Sequence, residues 1–282
     1  MKLKSKRYLL AILPFLLLVI GYELIPIFMI ILRSFQPVGH FGFTLEHYQA
    51  IFTKRLYQQA MINSIFIALI SSLIGIAIAF LGAKAANDSN SKWKNFFINI
   101  LNMTSNFAGI PLAFAFIILL GNMGVLVLLG KSMGVSALAN FNVYSFKGLL
   151  LTYIYFQIPL ATLLMIPMFD GLRKEWKEAV LLLGGNSFIY WTKVAIPTIM
   201  PSILATLSVL FSNAIAAYAT AYALLANNFS LLPIRISEQF VGDVVQRKEF
   251  GSALAVVLMS TMVISTMINN YFIKKSKGGV TQ

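Results

Sequence analysis

Apolar residues run along this chain in long windows, each bounded by charge or by a turn. Tyr8–Leu32 is interrupted only by Glu23, and Leu56–Ala83 carries no charge at all. Asn95–Gly130 is also uncharged, with Gly121 to Gly124 marking its exit. Gly148–Phe169 follows, then a window inside Val194–Ile234 that begins near Pro201 and ends by Asn227, and finally Phe250–Ile273. Each can hold the ~20 helical residues needed to cross a ~30 Å hydrocarbon core. The pattern predicts six membrane-spanning helices, at about residues 8–32, 60–83, 97–120, 148–169, 201–226 and 250–273. The fold class expected is an all-α membrane protein, with residues 1–282 forming one transmembrane domain.

One stretch breaks this rhythm. Residues 177–201 read KEAVLLLGGNSFIYWTKVAIPTIMP. Only fourteen uncharged residues separate Glu178 from Lys193, which is about 21 Å of helix and too short to span. Glu175 and Glu178 suit the positive end of a short helix. Ala179, Leu182 and Leu183 share one helical face. Gly184-Gly185 supplies a left-handed stop, and Asn186 or Ser187 can cap a second helix. That helix holds Phe188, Tyr190 and Trp191, aromatic types suited to a membrane interface, before Pro197 and Pro201 redirect the chain into span five. The expected object is a helix-turn-helix over 174–197 that lies along the membrane surface, its apolar face meeting lipid or a protein groove.

Composition agrees with the spans. The 282 residues are 59% hydrophobic and 11% charged, where a soluble domain has about a quarter charged. The net charge of +13 does not mark a nucleic-acid protein, because its cations are scattered between apolar windows and form no single basic face. They follow topology instead. With the N-terminus inside, the inner segments carry fourteen Lys and Arg and the outer ones eight, which favours both termini in the cytoplasm. The helix-turn-helix then lies between spans four and five on the cytoplasmic side. The first window, after MKLKSKR, is too long for a signal peptide and lacks a small-residue cleavage site, so it reads as a retained anchor. No cysteine is present, which excludes disulfides and thiolate metal sites.

The 178–197 spacing resembles the EAA pattern of permease subunits of bacterial binding-protein-dependent ABC importers of type I. That pattern is Glu-Ala-Ala, three residues, Gly, nine residues, then Ile-any-Leu-Pro. The chain has Glu178-Ala179-Val180, Gly184, and Val194-Ala195-Ile196-Pro197 at those distances, departing only by apolar exchanges. TLEHYQAIF before span two, and LLPIRISEQFVGDVVQRKEFGSALAVVL before span six, look most like the polyamine and phosphonate-compound branch. The resemblance implies a coupling helix that fits a groove on a cytoplasmic ATPase. Glu178 would then meet polar or basic groups, Ala179 would allow close approach, Gly184 would permit the turn, and Pro197 would close the pattern. It also implies a second permease subunit (identical or homologous), an ATPase dimer, and an external or periplasmic solute-binding protein. Location in the bacterial cytoplasmic (inner) membrane follows, with ATP and Mg held by the partner ATPase and no cofactor by this chain.

Within the spans, Asn99, Asn102, Asn106, Gly109 and Ala113 fall on one face if residues 97–120 are one helix. Ser202, Thr206, Asn213, Ala217 and Thr220 form a similar stripe in span five. Amides in a membrane face protein or water. Asn102, Asn106, Asn213 and Thr220 are therefore candidates for a translocation pathway, or for hydrogen-bonded glue between helices. Glu23 is the one acid inside a span; it can serve the pathway, reach the outer interface or pair with Arg33. Gln157, Pro159 and Pro167 read as packing and bending residues.

Enzymatic chemistry finds no support in the residues. Gly124 to Ser132 mimics a phosphate-binding loop, but five residues separate its glycines where four are needed. His40 and His47 sit in an external loop without a carboxylate cluster, so no metal site or nucleophile–base pair is expected. Asn228-Phe-Ser230 fits a glycosylation acceptor, which has no meaning in a bacterial protein. The remaining alternative is an ion-coupled secondary transporter or channel acting through Glu23 without an ATPase, but inverted repeats and several intramembrane charges would accompany it.

Overall fold

The computed structural model describes residues 12–40, 42–226, 229–241 and 246–278. Lys2, Lys4, Lys6, Arg7 and Asn228 lie outside them. Six helical stretches are long and apolar enough to cross a membrane, and no strand occurs among the described residues.

Helix α1 (Ile12–Ser34) is followed by a short α2 (Glu46–Thr53) and the long α3 (Arg55–Asp88). Then come α4 (Ser91–Ser105), α5 (Ile110–Leu120) and α6 (Val125–Ser132). Helix α7 (Phe146–Asp170) leads to a short α8 (Lys174–Leu182) and to α9 (Ser187–Ile215). The chain ends in α10 (Tyr218–Leu225), α11 (Leu232–Phe240) and α12 (Lys248–Gly278).

Helices α3 and α7 form the spine. Lipid tails are as apolar as leucine, so helices in a bilayer associate through close packing and not through water exclusion. Helix α3 meets that demand with a buried row of small residues: Ala60, Ser64, Ala68, Ser71, Ser72, Gly75, Ala79, Ala83 and Ala86. At Gly75 a Cβ would stand 3.0 Å from the Cβ of Gln157 in α7, so any side chain there forces the two helices apart. Pro159 and Pro167 both lie inside the continuous α7.

Two π-helical turns, Ile20–Leu24 and Tyr190–Ala195, each directly precede a proline, Pro26 and Pro197. A proline ring clashes with the carbonyl four residues back. Those carbonyls belong to Tyr22 and Lys193, inside the widened turns, which remove them from the α register.

The bundle has two distinct ends. At one, Lys94 Nζ pairs with Asp170 Oδ1 at 2.9 Å, joining the start of α4 to the end of α7. At the other, Asn63 Nδ2 donates to Ser230 O at 3.0 Å and the Leu232 amide donates to Ser64 Oγ at 2.9 Å. There Arg235 also pairs with Glu238 at 2.8 Å. Helix α1 packs on α12 but buries none of its apolar window.

Three expectations are corrected. The third span is not one helix over 97–120, because the chain leaves helical geometry at Asn106–Gly109, where Gly109 has φ +73°. The apolar stretch there is Ile110–Ser132, itself turned at Gly121–Gly124. The fifth span is not 201–226 but Ser187–Ile215, and it ends at a second break, Ala216–Ala217. Consequently no separate second helix follows the turn: residues from Ser187 are continuous with the helix that carries the fifth apolar stretch. Pro197 and Pro201 lie within that helix and do not redirect the chain.

Candidate functional site

Two features are candidates for a functional site, and α9 joins them. The first is the α8 turn. Glu175 stands in the first turn of α8, opposite the partial positive charge of the exposed amides. The helix stops in a Schellman arrangement: the Gly185 amide donates to Val180 O at 2.9 Å and the Gly184 amide to Leu181 O at 3.1 Å. Gly184 takes φ +79°, which a side chain tolerates poorly. Gly185 is required for space, since a Cβ would lie 2.7 Å from Val180 Cγ1 and 2.8 Å from Val180 O. Asn186 then caps α9, its Oδ1 accepting from the Ile189 amide at 3.0 Å.

No residue of α8 is buried. Leu182 and Leu183 are 89% and 88% exposed, and Ala179 on the same side is exposed too. Lys174, Lys177, Glu178 and Leu181, one helical turn apart, instead line a cavity between α8 and the bundle. Ala179 and Glu178 therefore point to different sides. Glu178 has no ion-pair partner among the described residues. Trp191, expected at the membrane interface, packs inward against Phe80 and Phe169, with ring centroids 6.0 and 6.4 Å apart. It anchors the root of α9 to α3 and α7. Helix α9 runs on for 29 residues, about 43 Å at 1.5 Å per residue.

At its far end lies the second feature, a cavity of about 470 Å³ beside both helix breaks. Its walls include Ser105, Gly109, Phe156, Asn213, Tyr218 and Thr220, and no charged residue. Broken helices leave backbone groups unpaired, and a membrane tolerates this only where protein or a watery cavity receives them. The chain supplies both. Tyr153 hydroxyl donates to Ala217 O at 2.6 Å, and Thr220 Oγ1 donates to Gly109 O at 3.3 Å, tying one break to the other.

Behind the cavity, the fully buried Gln157 joins three helices. Its Nε2 donates to Ser72 Oγ at 3.0 Å and to Leu210 O at 2.8 Å, while its Oε1 accepts from Asn213 Nδ2 at 3.5 Å. That leaves Asn213 Oδ1 as an acceptor at the exposed rim of the cavity.

Of the sequence candidates, Asn213 and Thr220 line this cavity; Asn102, Asn106 and Glu23 do not. Asn106 turns back on its own chain, donating from Nδ2 to Asn102 O at 2.8 Å, and both residues are exposed. The break at Asn106–Gly109 destroys the shared face on which the amide stripe depended. Glu23 sits midway along α1, exposed and without an ion pair to Arg33 among the described residues. Gln157, read as a packing residue, is one; sequence reasoning passed over Tyr153 and Ser72. A lone amide in the middle of an apolar helix was the available signal. His47 is buried, Nε2 at 2.8 Å from Gln36 O, and no group able to hold a metal occurs among the described residues.

The family described as "Binding-protein-dependent transport system inner membrane component" matches residues 72–277, more than half of the chain. The trehalose transport system permease protein SugB of Mycobacterium tuberculosis is 24% identical over 260 residues, covering 89% of this chain and 88% of that protein. The sulfoquinovosyl glycerol transport system permease protein SmoH of Agrobacterium fabrum is 25% identical over 171 residues, covering 61% and 54%. Among solved structures, a bacterial ABC transporter involved in the import of the acidic polysaccharide alginate aligns with TM-score 0.74. Its sequence is 15% identical, and the alignment covers 97% of both chains, a likeness of fold. The two sequence relatives are named for trehalose and sulfoquinovosyl glycerol, and two further relatives for sulfate; the polyamine or phosphonate branch read from the sequence is set aside.

Proposed function

The chain belongs to the family of binding-protein-dependent transport system inner membrane components, and from that premise we propose that it forms half of an importer's solute pathway and couples it to a separate ATPase. In this reading α8 is the coupling helix. The observation that carries it is the pair of nearly fully exposed leucines, Leu182 and Leu183, on the outward side of a helix held by a two-glycine turn. Leucines so exposed beside charged residues are explained by a protein groove that covers them. Glu178, at the rim, meets a basic group of that groove, and Ala179 allows close approach.

ATP and Mg belong to the ATPase pair. Closure of that pair displaces α8, and the short turn passes the displacement into α9, whose other end bounds the cavity. An element shared by two sites in this way is the physical requirement for coupling between them. The break at Ala216–Ala217 is the natural place for α9 and α10 to change angle. A second permease, identical or homologous, closes the open side of the cavity, and an external solute-binding protein delivers solute from the end opposite α8. Both termini then lie in the cytoplasm.

The solute we assign is a neutral, polyhydroxylated molecule of sugar type. Amide, hydroxyl and carbonyl groups line the cavity beside Phe156 and Tyr218, which suits hydroxyls and apolar sugar faces. A polyamine would require carboxylates there. An ion-coupled transporter is disfavoured by the family and by the distance of Glu23 from the cavity lining.

The test is reconstitution with the ATPase and binding protein in vesicles. ATP-dependent uptake of a neutral disaccharide in preference to spermidine, lost in Leu182→Asp, is the expected result. Uptake by this chain alone would overturn the reading.

A further inference from the structure

The cavity on the inner side of α8 has a volume of about 550 Å³, within the ~300–1,000 Å³ usual for small-molecule sites. Its walls bring together Lys84, Arg173, Lys174 and Lys177, with Asp88 and Glu178 the acids among them. Cations therefore outnumber acids by two. None of these six forms an ion pair among the described residues, although Lys94 and Asp170 nearby do. Lys84 is held away from carboxylates, its Nζ 4.8 Å from the centroid of the Trp191 ring. Excess positive charge gathered in one concavity attracts and concentrates anions there. The place is also specific: the cavity lies where α3 and α7 end and the charged α8 begins, with Tyr190 and Trp191 in its wall. Charged and aromatic residues gathered where apolar helices end suit the level of bilayer head groups.

We propose that this cavity binds the phosphate of an anionic phospholipid head group. Arg173 offers its planar fork, Lys84, Lys174 and Lys177 offer point charges, and Asp88 accepts from a head-group hydroxyl, as that of a glycerol would supply. Because Lys174 and Lys177 belong to α8 while Lys84 belongs to α3, one phosphate bridges the otherwise loosely held helix to the spine. Lipid binding itself does not depend on the transport reading, so its failure and that reading's failure are separable.

The experiment uses the full chain in vesicles of phosphatidylcholine with or without phosphatidylglycerol, reading lipid preference from quenching of Trp191 by brominated lipids in a W93F/W176F background. Phosphatidylglycerol should be preferred, and each of Lys84→Gln and Arg173→Gln should weaken that preference about fivefold, the effect of one surface cation on an anionic membrane. Lys84→Arg, which keeps the charge, should retain it and shows that the fold survives. Lys131→Gln, in α6 and away from this cavity, should change nothing. A second arm adds inorganic phosphate to phosphatidylcholine vesicles. Loss of the phosphatidylglycerol preference on its addition would assign the site to a soluble phosphate and overturn the lipid assignment. Equal affinity for both lipids, preference for zwitterionic phosphatidylethanolamine, or preference unchanged in Lys84→Gln and Arg173→Gln, would overturn it as well.

Discussion

The α3–α7 spine and the α8 turn occupy the same chain under opposite rules. In the spine, small residues bring backbones together and a single amide, Gln157 of α7, is satisfied by two other helices, α3 and α9, at once. In α8 no side chain is buried, and Leu182 and Leu183 at its end are almost fully exposed. The spine is complete within this chain, whereas α8 carries only its backbone stop and its cap and leaves its side chains to other partners. A moving part must be unfinished in this way, because an element buried in its own core could not respond to a second protein.

Substitutions can break that contrast. The largest effect is expected from Leu182→Asp, which should weaken ATPase association by about thirtyfold or more, as loss of an interface hot spot does. Membrane insertion and thermal stability should be untouched, and co-purification with the ATPase reads the result. Intact association would show that the exposed face is not the docking face. Gly184→Val comes next, since a β-branched residue held at φ +79° costs about 1–3 kcal/mol. Uptake per ATP hydrolysed should fall, while Gly184→Asn, better suited to left-handed geometry, should keep most of it.

In the spine the readout reverses. Gln157→Leu should lower stability in detergent by about 0.6–2 kcal/mol, the range for interhelical hydrogen bonds in membranes, without affecting ATPase association. Smaller still, Asn213→Ala should raise KM for the neutral solute about two- to tenfold, the loss of one hydrogen bond, with a smaller loss of stability than Gln157→Leu because only the long bond to Gln157 goes with it. Glu23→Gln should leave that KM where it was; a rise would bring α1 back into the pathway.

The legibility of the two regions differs as well. Gly184-Gly185 and Asn186 were readable because a Schellman stop and an N-cap involve atoms within six residues of one another. Leu182 and Leu183 were readable as one face because α8 is a regular helix. The pathway amides were not, since Asn102 and Asn106 were aligned with Gly109 and Ala113 by assuming a helix that breaks between them. The partners of Trp191 were not readable for a related reason: Phe80, Phe169 and Lys84, which surround its ring, are remote along the chain.

What the sequence by itself determined is the set of apolar windows, the all-helical class, the glycine turn and the family pattern of residues 178–197. These depend on solvent transfer and on local backbone geometry, which act over one to a few turns. Only the tertiary structure decided where spans three and five break and which polar groups meet. Those breaks are held by partners remote along the chain, Tyr153 for Ala217 and Thr220 for Gly109. No periodicity can report a hydrogen bond whose other half lies in a different helix.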